Sequence, residues 1–304
     1  MQSGIHPNER ILSIDNHALS IYRLCPAKWF NQIQNSLVLR PGPYESDDEP
    51  RDKSVELSFG IAIHKALDVL FLTRSIEQAS QSFRDSFEFS GVDQKRNPGK
   101  ADDILEQYQK QWLINNDIPY EGLICELPFA LPLGRVKDAD GGLWDVEYSG
   151  VIDKVFSMQD GSFEVMDHKT TSWNSQFLTT TFELSSQFLG YAWAVCQIQN
   201  PQASVPVWLD LVLLNPKTTQ LLRDKFVYTQ NQIEEWKLDI LSSAREIIHR
   251  WSIQHFPRHG RDACVSFNRP CQFVELCRAE VSRRDMIREA VYEKSKRWDP
   301  ADRM

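Results

Sequence analysis

The sequence predicts an α/β (α+β) fold in which a central mixed β-sheet is flanked by helices. Apolar residues first recur at helical spacing, and the period changes to that of strands from Leu123 onwards. A second helical run then separates three early strands from the later ones, an order typical of mixed sheets. The dipeptide Asp160-Gly161 between two strand-like runs indicates a β-hairpin. No convincing linker divides the 304 residues, so we expect a single domain over 1–304.

Helical spacing of apolar residues predicts the helices, with Asn16 or Ser20 as the first N-cap and a break or kink at Pro26. We expect helices at about 16–34, 58–74, 75–90, 100–115, 182–199 and 231–253, and a charged tail helix that ends near Trp298. Strand-like runs predict strands at about 123–133, 143–156, 163–170, 207–214 and 221–228. The polar stretch at about 35–54 is expected to be a loop.

Composition and charge limit the class of protein. Hydrophobic residues make up 41% of the chain, and no apolar run is long enough for a transmembrane helix. The first ten residues lack the basic start and apolar core of a secretory signal, so cytosolic residence is expected. The net charge of −8 argues against coating of nucleic acid through bulk positive charge, but it allows a local basic channel. Six cysteines in a cytosolic chain are expected to be reduced or metal-bound.

The predicted hairpin carries the residues with the clearest chemical potential. Asp153 lies in its first strand, and Asp167 and Lys169 share one face of the second because strand side chains alternate. Burying such charges costs several kcal/mol unless they are paired or bound to a metal. Two carboxylates and a lysine on adjacent strands therefore predict a site for a divalent metal ion and an activated water.

Four motifs in the middle of the chain occur in a characteristic order. They are Phe59-Gly-Ile-Ala-Ile-His64, Gly150-Val-Ile-Asp153, Val165-Met-Asp-His-Lys-Thr170 and Gln187-Phe-Leu-Gly-Tyr191. Together they resemble the motifs of the PD-(D/E)xK nuclease superfamily, in its RecB-like branch. The resemblance implies a restriction-endonuclease-like core at about 58–230 and the hydrolysis of phosphodiester bonds in DNA.

Each motif residue has an expected role in that chemistry. Carboxylate and carbonyl oxygens suit Mg²⁺ and Mn²⁺, so Asp153, Asp167 and the backbone carbonyl of His168 are candidate ligands. A nitrogen ligand from His64 would favour Mn²⁺ somewhat more than oxygen ligands alone. Lys169 is expected to orient the attacking water and stabilise charge at the phosphate. Gln187 and Tyr191 lie four residues apart on one helix face, where they can contact a phosphate or position that lysine.

Four cysteines flank this middle region at a distance in the sequence. Cys25 precedes it, and Cys264, Cys271 and Cys277 follow it. They resemble the iron–sulfur staple of RecB-like nucleases, including the AddB nuclease domain and the CRISPR-associated RecB-like exonucleases. The resemblance implies a [4Fe–4S] cluster that joins segments 16–34 and 254–298 in a helical part. The alternatives are tetrahedral zinc bound by the four cysteines, one of which His255 or His259 could replace, and unligated thiols. Cys125 and Cys196 are expected to be buried small hydrophobes.

The sequence therefore predicts a metal-dependent DNA exonuclease that acts on single strands or ends, with 5′→3′ polarity implied by the resemblance alone. The alternatives are a non-catalytic DNA-binding module and a nuclease that depends on partner proteins of CRISPR adaptation or viral (phage) recombination. Candidate phosphate contacts are basic residues near both ends of the chain: Arg23, Lys28, Arg283, Arg284, Arg288, Lys294, Lys296 and Arg297. Tyr22, Trp29 or Phe30 are candidates for stacking on an unpaired base.

Overall fold

A computed structural model describes residues 2–40, 54–89, 91, 93–114, 118–173, 178–199, 204–266 and 269–296. The chain forms two compact units, each built from separated segments. The terminal unit comprises Met1–Glu49, Pro128–Val151 and Glu234–Met304, and the central unit comprises Pro50–Leu127 and Ile152–Ile233. The single domain expected from the sequence stays a prediction. Residues 41–53 of the loop predicted at about 35–54 lie outside the described residues, as do Arg297 and Trp298.

The secondary structure contains the predicted helices and strands in the predicted order, together with short strands that were not predicted. The helices are α1 (Asn16–Leu24), α2 (Pro26–Trp29), α3 (Val55–Thr73), α4 (Ile76–Ser86), α5 (Pro98–Tyr108), α6 (Leu178–Glu183), α7 (Ser186–Gln199), α8 (Gln230–Ser252), α9 (Val274–Arg278) and α10 (Arg284–Val291). The strands are β1 (Gly4–His6), β2 (Ile11–Asp15), β3 (Leu37–Leu39), β4 (Tyr120–Lys137), β5 (Leu143–Met158), β6 (Phe163–Thr171), β7 (Val207–Leu214), β8 (Thr219–Phe226), β9 (Val265–Ser266), β10 (Arg269–Pro270) and β11 (Tyr292–Lys294). Short π-helical turns, Phe30–Gln34 and Gln109–Leu113, continue α2 and α5.

A mixed sheet forms the centre of the central unit. β5 and β6 pair antiparallel through the predicted hairpin, in which Gly161 adopts a φ of +80° that favours glycine. β6 pairs parallel with β7, and β7 pairs antiparallel with β8. Helices pack against this sheet, since α3 contacts β6, and α7 contacts β6 and β7. The predicted mixed α/β fold with a central sheet flanked by helices is confirmed.

Helix α3 supplies much of the apolar core of the central unit. Ser54 caps its start by accepting a hydrogen bond from Leu57 N at 3.3 Å, and the helix ends where Arg74 adopts a left-handed conformation with φ of 59°. Its buried face repeats at helical spacing and includes Phe59, Ile63, Leu67 and Leu70. That burial fixes the rotation of the helix and therefore the direction in which His64 points.

The terminal unit contains strands that were not predicted. β1 pairs antiparallel with β2, and β2 pairs parallel with β5, in a segment too short for its periodicity to be read. The N-cap of α1 is Asp15, whose carboxylate accepts a hydrogen bond from Ala18 N at 2.8 Å, so the predicted caps Asn16 and Ser20 are wrong. β3 lies within the predicted loop and pairs with β11. The tail helix ends at Val291 rather than near 298, and β11 directly follows it.

Two predicted helices are divided. The first ends at Cys25, which is extended, because Pro26 starts a new helix and disfavours a helical residue before it. The second is divided at Leu184 and Ser185 into α6 and α7. No described helix combines the length and the apolar character that crossing a lipid bilayer requires.

Candidate active site

Four of the predicted site residues come together in the central unit. His64 on α3 places its Nδ1 3.3 Å from Oδ2 of Asp153 on β5. The same oxygen of Asp153 accepts a hydrogen bond from the backbone N–H of His168 at 2.9 Å. On β6, the Lys169 ammonium lies 2.6 Å from Oδ2 of Asp167. The hairpin and α3 therefore gather two carboxylates, an imidazole and an ammonium.

Burial controls the charge state of these groups. Burial raises the pKa of the Asp167 carboxyl, the Lys169 cation lowers it and the charge of Asp153 raises it, and together these effects bring it to about 6. Burial also raises the pKa of Asp153, but His64, Lys169 and the bond from His168 N outweigh it and hold that pKa below its usual value. Asp153 therefore carries the more stable negative charge of the two.

Lys169 keeps its positive charge at neutral pH. Burial lowers its pKa, but the carboxylates of Asp167 and Asp153 outweigh burial and raise the pKa above its usual value. A lysine in this state donates hydrogen bonds and stabilises negative charge, and it does not accept a proton from water. The ion pair with Asp167 also fixes the direction of its flexible side chain.

The structure adds Glu126 to this group, a residue that was not predicted. Among the described His, Cys, Asp and Glu side chains, His64, Glu126 and Asp153 form the group whose ligand atoms all lie within 4.8 Å of one another. Glu126 lies on β4 with a φ of +55°, which is unusual for a residue with a side chain. Its one signal in the sequence is a carboxylate within the otherwise apolar run 123–127.

The donor set fits a hard divalent cation. The group offers an imidazole and carboxylate oxygens, which are ligands for Mg²⁺ and Mn²⁺. Both oxygens of Asp167 are buried, and the Lys169 ammonium lies 2.6 Å from Oδ2. With this partner the pKa of the Asp167 carboxyl is still raised by burial, and a bound cation would favour its ionised form.

Glu126 is therefore expected to contribute to metal affinity. Glu126→Gln should weaken Mn²⁺ binding at least about tenfold, because the amide keeps the shape of the side chain but loses the charge. Glu121→Gln is the matched control, since Glu121 is exposed on the same strand. Isothermal titration with Mn²⁺ measures both variants, and equal affinities would contradict a ligand role for Glu126.

Gln187 and Tyr191 lie on α7 and contact each other. Nε2 of Gln187 donates a hydrogen bond to the Tyr191 hydroxyl at 2.7 Å, which requires the shared helix face expected from their spacing. Tyr191 is buried and Gln187 is partly exposed. The bond fixes the orientation of the Gln187 amide, so that its carbonyl oxygen has a defined direction.

A buried polar layer lies next to β6 and was also not predicted. Asp210 on β7 is fully buried and accepts hydrogen bonds from the Tyr108 hydroxyl and from two nitrogens of Arg223, at 2.5 and 2.7 Å. The ring of His168 is buried beside it, with Nδ1 3.6 Å from Asp210 Oδ2. Burial lowers the pKa of His168, so the imidazole stays neutral.

A second ion pair, between Lys154 and Asp68, involves the residue next to Asp153 on β5. The Lys154 side chain is completely buried, and its ammonium lies 2.5 Å from Asp68 of α3 and 5.0 Å from the centre of the Phe71 ring. Lys154 points away from Asp153 because the two residues are neighbours in a strand. This pair ties α3 to β5 and so helps to hold His64 near Asp153.

The four predicted cysteine ligands all belong to the terminal unit and are unpaired thiols. Burial raises the pKa of the Cys277 thiol, and the charges of the other three, Cys25, Cys271 and Cys264, raise it further, which requires them to be near. The backbone N–H of Cys271 bonds Cys264 O at 2.7 Å. No three of these sulfurs lie within 4.8 Å of one another in the described chain. Cys196 is buried as expected, whereas Cys125 is only partly buried.

Two of the three aromatic candidates for base stacking are core residues. Tyr22 and Trp29 are 3% and 1% exposed, and their rings pack edge to face at 5.8 Å. Phe30 is partly exposed and stacks on Phe256 at a centroid distance of 4.5 Å. Only Phe30 among these three presents ring surface that a ligand could reach.

Comparison with known proteins gives one family match. A sequence model of the PD-(D/E)XK nuclease superfamily matches residues 17–278. No curated protein matches the chain. A crystal structure of a protein from Eubacterium rectale, described provisionally as an exonuclease, is similar with a TM-score of 0.49 and 13% identity, over 88% of this chain and 94% of that one. The crystal structure of SSO0001 is similar with a TM-score of 0.32 and 13% identity, over 78% of this chain and 91% of that one.

Proposed function

The chain belongs to the PD-(D/E)XK nuclease superfamily, and on that premise we propose that it is a metal-dependent DNA exonuclease acting on single strands or DNA ends. Proteins of this superfamily hydrolyse phosphodiester bonds with divalent metal ions. The observation that carries the proposal is the meeting of His64, Asp153, Asp167 and Lys169 at one place in the central unit. These groups supply the ligands for a divalent metal ion and a cation for the phosphate, both of which metal-dependent hydrolysis of a phosphodiester requires.

The metal ion would be held by His64, Asp153 and Asp167, with Glu126 as a further carboxylate and the His168 carbonyl as the predicted backbone ligand. When bound, Mg²⁺ or Mn²⁺ lowers the pKa of a water and offsets charge on the phosphate. Asp153 is suited to hold the cation because it is ionised over the whole neutral range. Asp167 is fully buried and Asp153 is 14% exposed, which strengthens the electrostatic interactions of both carboxylates.

Lys169 acts in this proposal as a fixed cation. Its raised pKa keeps it protonated, and its pairing with Asp167 holds the ammonium in place. It can donate a hydrogen bond to the attacking water or to a phosphate oxygen, where negative charge increases during hydrolysis. Gln187, held by Tyr191, is the proposed second contact to the phosphate.

Metal binding is expected to depend on pH through Asp167. The pKa of Asp167 in the metal-free protein is raised to about 6, so its carboxyl becomes protonated as the pH falls through that value. Protons then compete with the metal for a ligand, and Mn²⁺ affinity should fall about tenfold for each pH unit below about 6. Titrations with Mn²⁺ from pH 5 to 8 measure this, and an affinity that does not change between pH 5 and 7 would contradict it.

The proposed role of the four cysteines is to bind a [4Fe–4S] cluster that stabilises the terminal unit. The proposal is supported by the number of these cysteines and by their order in the sequence. It is also supported by the nearness of the other three to Cys277, whose pKa their charges raise. A single zinc ion would bring the sulfurs to about 3.8 Å from one another, as follows from Zn–S bonds of about 2.3 Å. Among the described residues no three of these sulfurs lie within 4.8 Å of one another, so the zinc alternative would require the sulfurs to move closer together.

A visible spectrum of anaerobically purified protein tests the cluster. A broad absorption band with about four irons per chain is expected. A colourless protein that contains one zinc per chain would overturn the cluster in favour of the zinc alternative.

The exonuclease activity is tested with end-labelled single strands that are blocked at either the 5′ or the 3′ end. Degradation should require Mn²⁺ or Mg²⁺, stop on addition of a chelator, and be prevented by the 5′ block if the polarity is 5′→3′. Protection by the 3′ block alone would reverse the polarity, and equal cleavage of both substrates would indicate an endonuclease. A role in CRISPR adaptation or phage recombination stays a prediction that rests on the resemblance.

A further inference from the structure

The terminal unit contains a cavity of about 380 Å³ that the proposed reaction does not use. This volume lies within the range of small-molecule sites, roughly 300–1,000 Å³. Three arginines line the cavity, Arg258, Arg284 and Arg288, together with His255. Among the described residues that line it, none carries a carboxylate. In a chain with a net charge of −8, this is a local concentration of positive charge.

The walls of the cavity are fixed by bonds between separate segments. Ala27 N on α2 donates to Pro257 O at 3.1 Å, and Nη1 of Arg258 donates to the carbonyl of Cys277 on α9. Asn31 Nδ2 donates to Ala27 O at 2.8 Å and holds the next turn of the chain. The cavity is therefore a consequence of the fold of the terminal unit and not a gap between two mobile side chains.

The arginines keep donors for an anion. Arg284 uses Nε in a bond of 3.2 Å to Ala279 O, and Arg288 uses Nη1 in an ion pair of 2.5 Å with Asp285. A guanidinium has five N–H groups, so most of them stay available. Such forked donors match the geometry of a phosphate group.

Two aromatic rings form another wall. Phe30 and Phe256 stack at 4.5 Å with an interplanar angle of 16°, and both line the cavity. Stacking on a neighbouring ring restricts the motion of Phe30. A flat apolar wall beside a set of arginines is the combination that nucleic-acid proteins use to bind a base and its phosphate.

We propose that this cavity binds one nucleotide, with its phosphate on the arginines and its base against the Phe30–Phe256 wall. The proposal rests on the proposed function in one respect, since a DNA substrate would supply the nucleotide. The same chemistry could come from two sources, a nucleotide within a single strand or a free mononucleotide released by hydrolysis.

Binding to the full-length Asp153→Asn chain tests the cavity, because this substitution is expected to prevent cleavage. The probes are a fluorescent oligothymidylate, thymidine monophosphate and inorganic phosphate. The double variant Arg284→Gln with Arg288→Gln should bind the oligonucleotide at least tenfold more weakly. The slope of the logarithm of the binding constant against the logarithm of the salt concentration should become shallower by about 0.7 for each lost phosphate contact. Arg278→Gln is the matched control, since that arginine is 77% exposed and lies outside the lining.

The source follows from the comparison of probes. If thymidine monophosphate binds as tightly as the oligonucleotide and its binding depends equally on the two arginines, the natural ligand is the free nucleotide. If only the oligonucleotide shows binding that depends on the arginines, the ligand is a nucleotide within the strand. Phe30→Leu should weaken both of these probes and leave inorganic phosphate unchanged. Unchanged binding of every probe in the double variant, at an unchanged melting temperature, would overturn the proposal. Failure of DNA hydrolysis in the unsubstituted chain would overturn the nuclease and leave this result untouched.

Discussion

Replacement of Lys169 by methionine is expected to lower the rate of DNA hydrolysis by roughly 10²–10³-fold, the usual effect of losing one donor that stabilises transition-state charge. Methionine keeps most of the volume but removes the cation 2.6 Å from Asp167. The loss also raises the pKa of Asp167 further, because Lys169 is the main group that lowers it. Hydrolysis of a labelled single strand at pH 8, where the effect on Asp167 is smallest, measures the change.

Lys217→Met is the matched control for this variant. Lys217 lies exposed in the turn between β7 and β8 of the same unit, so its loss should leave the rate within about twofold. Mn²⁺ titration of both variants separates a loss of metal from a loss of charge stabilisation. A Lys169→Met protein that hydrolyses DNA at the unsubstituted rate would falsify the role given to this lysine.

Replacement of Asp210 by alanine is expected to destabilise the protein by about 3–5 kcal/mol, because it removes one member of a buried ion pair. The side chain of Arg223 is only 7% exposed, and its guanidinium lies 4.0 Å from the centre of the Trp112 ring. Loss of the bond from the Tyr108 hydroxyl adds to the cost. Urea unfolding followed by circular dichroism measures the difference in the free energy of unfolding.

Two further variants test whether loss of the ion pair between Asp210 and Arg223 causes this destabilisation. Asp103→Ala, an exposed position on α5, should change the free energy of unfolding by less than about 0.5 kcal/mol. The double variant Asp210→Ala with Arg223→Leu should be more stable than the sum of the single effects predicts, because it removes both members of the ion pair together. Strict additivity would contradict the account of this pair.

The hairpin could be predicted from the sequence because its signals are local. Asp160-Gly161 specifies a tight turn, and side-chain alternation places Asp167 and Lys169 on one face, which their ion pair requires. The strand Val207–Leu214 was likewise predicted at its observed bounds, since a short apolar run ending at Asn-Pro is unambiguous. The break at Pro26 follows from the missing N–H of proline and from its steric effect on Cys25.

The remaining features depend on contacts between distant segments. Glu126 joins His64 and Asp153 because β4 pairs with β5 and because its own backbone has a positive φ, neither of which the sequence reveals. Asp210 and Arg223 lie directly opposite each other only in the observed register of β7 and β8. Asp210 is the one charged residue in the apolar run of β7, and like Asp167 it could have been recognised from the sequence as a carboxylate that needs a partner when buried.

Anomalous diffraction from crystals grown with Mn²⁺ locates the metal ion. We expect a single strong anomalous peak in contact with Asp153 and Asp167, with His64 or Glu126 completing the ligands, and its loss in crystals of Asp153→Asn. An ion bound elsewhere, in a protein that still hydrolyses DNA only when Mn²⁺ is present, would contradict the assignment of this hairpin as the reaction centre.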